Sequence, residues 1–397
     1  MKSLRHVSVL MLSIVVCLPV SAQESEDPPV LKLDRIPSAP AFAGQTRAPA
    51  AVQSTYNVES LVQGLSAPWA LAFLSDGAMI INEYTGAMRI LDTNGNLSAP
   101  LAGLPEISHE GWAGLFDVTI DPAFDESQLI YFSYTVATDD PDSPNSPRVA
   151  RGRLNRDAMR IDDVEVILEG IGQQELHFAP DGKLLVAGAG GGLGDAQDMS
   201  IHGGKMLRIN SDGSTPGDNP WVDVPNVPDE LYTAGHRDIS GYATHPETGD
   251  IWITEHGPRG GDELNLIKAG GNYGWKTISY GTNYSGESVG EGDTTQDGME
   301  QPRYFWRPSI APSGLMFYTG EMFPEWQGNI FVTALSGQHI TRLVMDGDKV
   351  VAEERLLVDR NQRIRELRQG PDGALYALTT EESDAPKGFA ELLRISK

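Results

Sequence analysis

The sequence predicts an all-β protein, a six-bladed β-propeller, on two observations. One pattern recurs along the chain: an apolar, strand-like run meets an Asp-Gly turn or a close relative of it, and a second apolar run follows. Six copies begin near residues 69, 115, 175, 241, 314 and 364. Asp-Gly between two such runs is a strong signal for a β-hairpin. The copies are also spaced by roughly 45 to 75 residues, close to or above the usual propeller repeat of about 40–50.

Each repeat has room for a four-stranded blade and a connecting loop. The six copies are WALAFLSDGAMIINEY (69–84), LFDVTIDPAFDESQLIYFSY (115–134), LHFAPDGKLLVAG (176–188), GYATHPETGDIWITEH (241–256), GLMFYTGEMFPEWQGNIFVTA (314–334) and IRELRQGPDGALYALT (364–379). The longer repeats place their extra residues in loops on one face. A pair of β-sandwiches is the alternative architecture for such a pattern. Tryptophans in the runs, Trp69 among them, are expected to pack between blades.

A propeller must also join its last blade to its first. The final apolar run, residues 390–395, is expected to pair in one blade with the early run at residues 56–62. Residues 56–397 therefore form the predicted propeller domain.

The N-terminus has the features of a signal peptide. Lys2 and Arg5 supply positive charge, residues 7–20 are apolar but too short to span a bilayer, and Val20-Ser21-Ala22 fits a cleavage site. Residues 1–22 are therefore predicted to be removed, with no membrane insertion afterwards. Residues 23–55 are rich in proline and alanine and are predicted to form a flexible leader. We expect a periplasmic or secreted protein.

Composition narrows the class of partner. The chain has 397 residues, 40% of them hydrophobic, with 55 acidic against 30 basic residues and a formal charge of −25. Such a negative field repels nucleic acid and anionic membrane surfaces, so we expect neither as a partner. It suits neutral small molecules and cations, whereas an anionic ligand needs a local basic pocket.

Several segments resemble the soluble, quinone-dependent aldose sugar dehydrogenases of the glucose/sorbosone dehydrogenase family. They are EHGPRGGDELN (255–265), GGNYGWKTISYGTNYSG (270–286), GLSAPWALAFLSDG (64–77), GLFDVTIDPAF (114–124), GGKMLRINSDGSTPGDNPW (203–221), GHR (235–237) and QRIRELRQGPDGALYALT (362–379). The resemblance covers nearly all of residues 56–397 in the same order. It implies a six-bladed propeller that oxidises an aldose sugar to a lactone with pyrroloquinoline quinone (PQQ) and calcium, and passes electrons to an external acceptor.

The resemblance also implies metal positions around the turn at residues 255–265. Gly257 and Pro258 match family positions whose backbone carbonyls bind the cofactor calcium. Glu263 and Tyr273 match positions of a second, structural calcium found in some members. Calcium takes six to eight oxygen ligands and accepts backbone carbonyls readily.

Three arginines are candidates for binding the cofactor. Arg363 and Arg365 lie two apart in a predicted strand, so both point to one face. In the family this Arg-x-Arg pair grips the cofactor. Arg237, in the GHR segment, is carried over as the residue beside the reacting carbonyl, where it would stabilise developing negative charge.

The catalytic base is the main departure from the family pattern. In the family it is the histidine of a His-Phe-Gly-Gly-Arg-Leu segment, and an ungapped reading places Ile171 there. His177 is the nearest histidine, six residues later, and would lie about 20 Å further along an extended strand. A shortened loop would be needed to return His177 to the pocket, so the base is either His177 or an unidentified group.

Other pocket positions differ from the family as well. Trp112 replaces a glutamine, Ser336 replaces a lysine, and Asp238 and Ser240 follow GHR in place of Asn and Gln. Losing a cation and gaining Asp238 oppose the binding of a polyanion. Two further hypotheses therefore stay open: a non-catalytic, calcium-binding propeller that binds a glycan or a protein, and a calcium-dependent hydrolase such as a lactonase.

Overall fold

Six antiparallel sheets surround a central axis in the computed structural model, which confirms the predicted six-bladed propeller. The structure describes residues 39–397 except 110, 112, 141–143, 171–174, 189–194 and 382–386. The predicted signal peptide, Ile171 and Trp112 therefore lie outside the described residues. Within the described part of the chain, no helix is long and apolar enough to cross a membrane.

The strands follow the chain from blade to blade, and the innermost strand of each blade comes first. The opening strand is β1 (Asn57–Leu65), and blade 1 contains β2 (Pro68–Phe73), β3 (Met79–Glu83) and β4 (Ala87–Leu91). Blade 2 contains β5 (Leu115–Ile120), β6 (Leu129–Ala137), β7 (Asn145–Asn155) and β8 (Arg160–Glu169), and blade 3 contains β9 (Leu176–Phe178), β10 (Leu184–Ala187), β11 (Lys205–Ile209) and β12 (Leu231–Ala234). Blade 4 contains β13 (Ile239–Thr244), β14 (Ile251–Glu255), β15 (Asp262–Leu266) and β16 (Tyr304–Trp306), and blade 5 contains β17 (Pro312–Phe317), β18 (Ile330–Ala334), β19 (His339–Asp346) and β20 (Lys349–Leu356). Blade 6 contains β21 (Arg363–Gln369), β22 (Leu375–Thr380) and β23 (Ala390–Ser396).

Helical structure in the described residues is limited to single turns. These are α1 (Phe124–Ser127) and two 3₁₀ turns, Pro324–Trp326 and Val358–Arg360.

The ring closes as the sequence predicts. Strand β1 pairs antiparallel with β23, and Asn57 faces Ser396 across the ladder. The outermost strand of blade 6 therefore comes from the start of the domain. The inner strands β2, β5, β9, β13, β17 and β21 contact one another in that cyclic order. Closure leaves no open seam between the first and last blades, so the inner strands enclose one central channel.

The hydrophobic core is divided among the joints between blades. Six clusters of buried side chains in the described residues each combine residues from two adjacent blades. Trp69, Trp252 and Trp326 belong to such clusters, as the sequence predicts for the tryptophans. Burying these faces removes apolar surface from water and fixes each blade against both neighbours. The inner strand ends are thereby held at fixed positions around the axis.

Part of the predicted leader packs on the propeller. Gln45 is fully buried, and its Nε2 donates a hydrogen bond to the Pro302 carbonyl. Ala50 forms a parallel bridge with Glu353 in the outer strand of blade 5. Further along, Ser54 Oγ accepts a hydrogen bond from Trp326 Nε1. Residues 39–55 are thus tied to blades 4 and 5, because the backbone of this proline-rich segment finds partners that its sequence does not reveal.

Candidate active site

The inner strands of all six blades run in the same direction, so their first residues meet at one end of the channel. We call this end the upper face. Pro68, Leu115, Ile239, Pro312 and Arg363 are the first residues of five inner strands. Register irregularities interrupt the ladders of these five strands near that end. A β-bulge re-aims side chains and is common beside functional sites.

Two of these bulges act on candidate site residues. The irregularity in blade 1 falls between Pro68 and Ala70, at Trp69. The irregularity in blade 6 falls between Ile364 and Glu366, at Arg365. The guanidinium of Arg365 lies 3.8 Å above the centre of the Trp69 ring. The two side chains therefore meet from neighbouring blades at the upper face.

A cavity of about 330 Å³ opens between blades 6 and 1 at the upper face. Its walls include Trp69, Tyr84, Arg363, Arg365, Glu381 and Lys387. We call it the upper cavity. Its cations are Arg363 and Arg365, as the sequence predicts, and Lys387, which the sequence analysis missed. Lys387 was overlooked because it lies between β22 and β23, outside every matched segment.

Arg365 and Arg237 are two arginines near the upper face whose Nε atoms lack partners in the described residues. Nε of Arg365 and Nε of Arg237 are buried and have no hydrogen-bond partner in the described part of the chain. The Arg365 Nη1 lies 3.3 Å from Ser313 Oγ, and the Arg237 Nη1 donates to the His256 carbonyl at 3.1 Å. Burial lowers the pKa of Arg365 to about 10, which keeps it a cation at neutral pH. Unpaired buried donors on cations indicate a place for an anionic ligand.

The turn at residues 255–265 lies on the same face. His256 Nε2 is 2.6 Å from the carbonyl of Pro312, the first residue of the inner strand of blade 5. A Cβ on Gly257 would lie 2.3 Å from the Gly260 carbonyl oxygen, so only glycine fits there. The left-handed backbone angles occur at Gly260 and Gly261, with φ of 75° and 74°. Gly257 is thus needed for close approach rather than for an unusual dihedral angle.

Asp262 holds this turn against blade 5. It is fully buried, and its carboxylate accepts hydrogen bonds from the backbone N–H groups of Gly257 at 2.8 Å, Ile310 at 2.7 Å and Ala311 at 2.8 Å. The Ser309 hydroxyl also donates to it. One buried carboxylate therefore fixes Gly257 and Pro258 relative to the inner strand of blade 5.

A second, much smaller pocket lies behind the turn. Its volume is about 10 Å³, near the space that one water molecule needs. Glu255, Gly257, Glu263 and Tyr273 line it. We call it the acidic pocket. It contains Glu263 and Tyr273, two of the predicted metal positions, together with Glu255, which the sequence analysis did not single out.

The acidic pocket brings the carboxylates of Glu255 and Glu263 to one shared donor, the Asn265 amide. Asn265 Nδ2 donates to Glu255 at 2.8 Å and to Glu263 at 3.1 Å, while its Oδ1 is buried without a partner in the described residues. Burial, and then the nearby charge of Glu255, raise the pKa of Glu263 well above its usual value. His236 Nδ1 lies 3.1 Å from Glu255. Oxygen acceptors gathered in this way suit a hard cation.

Side chains alone do not complete a metal site here. Among the residues that the structure describes, no cluster of three or more His, Cys, Asp or Glu side chains has metal-binding geometry. A calcium ion in this region would therefore need backbone carbonyl oxygens, of the kind predicted for Gly257, Pro258 and Tyr273.

His177 does not reach the upper face. It lies in β9, and its Nε2 is 2.7 Å from Thr244 Oγ1 at the far end of β13. Thr244 is five residues beyond Ile239, roughly 17 Å at about 3.3 Å per residue. Burial lowers the pKa of His177 to about 4. The geometry thus differs from the expectation that a shortened loop returns His177 to the pocket beside Arg237.

The differences from the family at Asp238 and Ser336 oppose anion binding less in the structure than the sequence alone suggests. Asp238 Oδ2 is 3.5 Å from His256 Nδ1, and although burial opposes it, Asp238 raises the pKa of His256. The charge of Asp238 is thus partly compensated by this histidine. Ser336 is exposed between β18 and β19, while Lys387 supplies a cation from blade 6 instead.

Glu175 is a site residue that the sequence analysis passed over. It directly precedes β9, and its Oε1 accepts a hydrogen bond of 3.4 Å from Trp69 Nε1. The same ungapped reading that places Ile171 at the family histidine places Glu175 at the arginine of that motif. A glutamate in place of an arginine is a reversal of charge, and this difference could have identified Glu175 from the sequence.

Comparisons with known proteins identify a family and several similar chains. The pattern that defines the Glucose / Sorbosone dehydrogenase family matches residues 65–393. The aldose sugar dehydrogenase YliI of Escherichia coli K12 is 38% identical over 360 residues, covering 87% of this chain and 94% of that protein. Quinoprotein glucose dehydrogenase B of Acinetobacter calcoaceticus is 24% identical over 423 residues, covering 85% and 88%. The crystal structure of the soluble aldose sugar dehydrogenase from Escherichia coli in the apo-form has a TM-score of 0.80 at 37% identity, covering 86% and 99%.

Proposed function

The chain belongs to the glucose/sorbosone dehydrogenase family, and we propose that it oxidises aldose sugars to lactones with PQQ as the redox cofactor. The observation that carries the cofactor is the set of cations at the upper face. Arg363, Arg365 and Lys387 line one cavity, and Arg365 Nε has no partner in the described residues. In a chain of charge −25, such a basic pocket is an exception that favours a small polyanion.

The residues present fit that group. Its carboxylates would be held by Arg363 and Arg365, with Lys387 in place of the lysine that Ser336 replaces. Arg237 would donate to an oxygen that gains negative charge during the reaction. When bound, the quinone supplies the two-electron oxidant, a role that no protein side chain can take. A relative named as a quinoprotein supports the choice of cofactor.

We also propose calcium at the turn. Gly257 and Pro258 would contribute backbone carbonyls near the cofactor, and Glu263 with Tyr273 would bind a second ion in the acidic pocket. The unpaired Asn265 Oδ1 and the neighbouring carboxylates of Glu255 and Glu263 support the second site. Calcium would supply Lewis acidity at the first site and neutralise buried charge at the second.

The protein is expected to work outside the cytoplasm and to pass electrons to an external acceptor. The signal-peptide features of residues 1–22 support export. Sequencing the N-terminus of the mature protein tests this proposal, and a retained Met1 would contradict it. The relative YliI, named as an aldose sugar dehydrogenase, does not favour the two other hypotheses, a non-catalytic binding protein and a hydrolase.

Reconstitution tests the proposed function. The purified full chain is incubated with PQQ and Ca²⁺, and dye reduction is followed with a panel of aldoses while the lactone is identified by mass spectrometry. We expect turnover that depends on both PQQ and an aldose. Binding of PQQ without turnover on any aldose would favour the non-catalytic hypothesis, and absence of both would remove the redox assignment.

A further inference from the structure

A carboxylate lies among the cations of the proposed anion site. Glu175 comes from blade 3, whereas Trp69 and Arg365 come from blades 1 and 6. Its Oε1 is hydrogen bonded to Trp69 Nε1, and the Trp69 ring lies directly under the Arg365 guanidinium. Of the charged groups that act on Arg365, Glu175 acts most strongly. The glutamate therefore lies beside the arginine that the proposed function assigns to an anionic ligand.

The other carboxylates at this face are already engaged. Glu381 accepts hydrogen bonds from the backbone N–H groups of Ala67, Phe389 and Ala390. Asp238 is paired with His256. In the described part of the chain, the carboxylate of Glu175 receives a single hydrogen bond, the long one from Trp69. Glu175 is thus the carboxylate whose charge is least compensated by hydrogen bonds.

Its surroundings work against a negative charge. The titratable and charged groups that act on Glu175 or on its neighbours come from blades 2, 4 and 6. They are Asp117, Asp238, Tyr242, Arg363, Arg365, Glu366 and Arg368. Burial, then the charges of Asp117 and Glu366, raise the pKa of Glu175 well above its usual value, against the opposing effect of Arg365. The raised pKa moves protonation of Glu175 toward neutral pH.

An incoming polyanion must share Arg365 with this glutamate. An ionised Glu175 and a ligand carboxylate bound at Arg365 carry like charges in a buried site, so each disfavours the other. Protonation of Glu175 removes this repulsion and leaves the charge of Arg365 available to the ligand. Burial of the ligand carboxylate then costs less free energy, because Arg365 compensates its charge. The carboxylic acid form also keeps an oxygen that accepts from Trp69.

We infer that Glu175 couples the binding of a polycarboxylate ligand in the upper cavity to the uptake of one proton. The inference rests on the proposed function, because the ligand is the proposed cofactor. It goes beyond that function by assigning Glu175 as a positioning residue that competes with the ligand for Arg365. It also explains how the site accommodates a glutamate where the family motif has an arginine.

The sign of the effect follows from linkage. The complex favours protonated Glu175, so binding weakens as pH rises above the pKa that Glu175 has in the free protein. The limiting slope is a tenfold loss of affinity per pH unit. Replacing the glutamate by its neutral isostere removes this slope and tightens binding at high pH.

The experiment compares wild-type protein with Glu175→Gln and with the matched control Glu165→Gln, which alters an exposed ion pair with Arg151 on blade 2. The full chain with Ca²⁺ is titrated with PQQ from pH 5.5 to 8.5, and calorimetry in buffers of different ionisation enthalpy counts protons. We expect the ratio of the wild-type Kd to the Glu175→Gln Kd to grow roughly tenfold or more over this range. We also expect proton uptake that Glu175→Gln loses and Glu165→Gln keeps.

The outcomes separate the two proposals. Equal pH profiles for wild type and Glu175→Gln, or weaker binding by the variant at high pH, would overturn the coupling while leaving the proposed function standing. Failure of every protein to bind PQQ at any pH would remove the proposed function, and the coupling with it. Glu175→Asp, which keeps the titration, should retain proton uptake, and its loss there would also count against the coupling.

Discussion

The upper cavity and the acidic pocket lie on one face of the propeller and differ in size and in the charge of their lining residues. The upper cavity measures about 330 Å³ and is lined by cations, one of which keeps an unpaired donor atom, Arg365 Nε. The acidic pocket measures about 10 Å³, and its walls include Glu255, Glu263 and Arg237. Beside it, the buried Asn265 Oδ1 has no partner in the described residues. The first is the proposed site of an organic anion, and the second is the proposed site of one metal ion.

The comparison shows that this acidic protein contains both a cation-lined and a carboxylate-lined region on one face. Both regions leave buried polar atoms without partners in the described residues, which costs stability unless a ligand completes them. Arg237 lines the acidic pocket, and its Nε is one of these atoms. The proposed cofactor and calcium are therefore complementary to features that already exist in the chain.

The largest expected effect comes from removing the clamp on the turn. Asp262→Ala leaves the N–H groups of Gly257, Ile310 and Ala311 without their acceptor, so we expect a loss of about 4 kcal/mol in the free energy of unfolding. Urea denaturation measures it. A loss below about 1 kcal/mol would show that the acidic pocket does not depend on this clamp.

The next largest effect is expected from removing a cation from the upper cavity. Arg365→Gln removes charge-assisted hydrogen bonds to the ligand, and we expect roughly 100-fold weaker PQQ binding. Absorbance titration of the apoprotein measures the Kd. The control is Arg151→Gln, an arginine in an ion pair on blade 2. Equal affinities for the two variants would place the anion site elsewhere.

His177 belongs to neither region and provides the pH test. Its pKa is lowered to about 4 in the folded protein from 6.5, because burial disfavours the cation. The unfolded chain therefore binds the proton first, so this contribution to stability is complete above pH 6.5 and is lost as pH falls toward 4. Between pH 7 and 5 the loss is about 2 kcal/mol.

His177→Gln should remove that part of the acid sensitivity. Chemical denaturation of both proteins at several pH values isolates it from the opposite trend of Asp117 and Glu366, whose raised pKa values of about 6 and 7 stabilise the fold as pH falls. Identical pH dependence of the two proteins would contradict a buried, neutral His177 and return it to consideration as a base.

The smallest expected effect tests calcium binding in the acidic pocket. Ca²⁺ at ten times its Kd should raise the free energy of unfolding of the wild-type protein by about 1.4 kcal/mol. Glu263→Gln removes a proposed ligand and should lose most of that increase at the same Ca²⁺ concentration. Thermal unfolding with Ca²⁺ and with EDTA measures both. The same increase in the variant would argue against Glu263 as a ligand.

The sequence predicted much of this architecture because its signals are local. Asp-Gly turns and apolar runs gave six repeats, and the pairing of the terminal strands follows from the need to close the ring. Arg363 and Arg365 were found because two strand residues with the same orientation form a pattern visible in one dimension. The same local reasoning failed for residues 39–55, whose partners on blades 4 and 5 lie some 250 to 300 residues away.

The sequence by itself determined the propeller, its repeat order and the residue types that the site contains. Only the tertiary structure decided which of them meet: Lys387 with Arg363 in one cavity, Glu175 with Trp69 from another blade, Asp238 with His256, and His177 with Thr244 away from the upper face. The physical reason is that blade formation depends on neighbouring residues, whereas the site forms where inner strands from different blades converge. Distances between those strands are set by packing at the joints between blades, which no local pattern records.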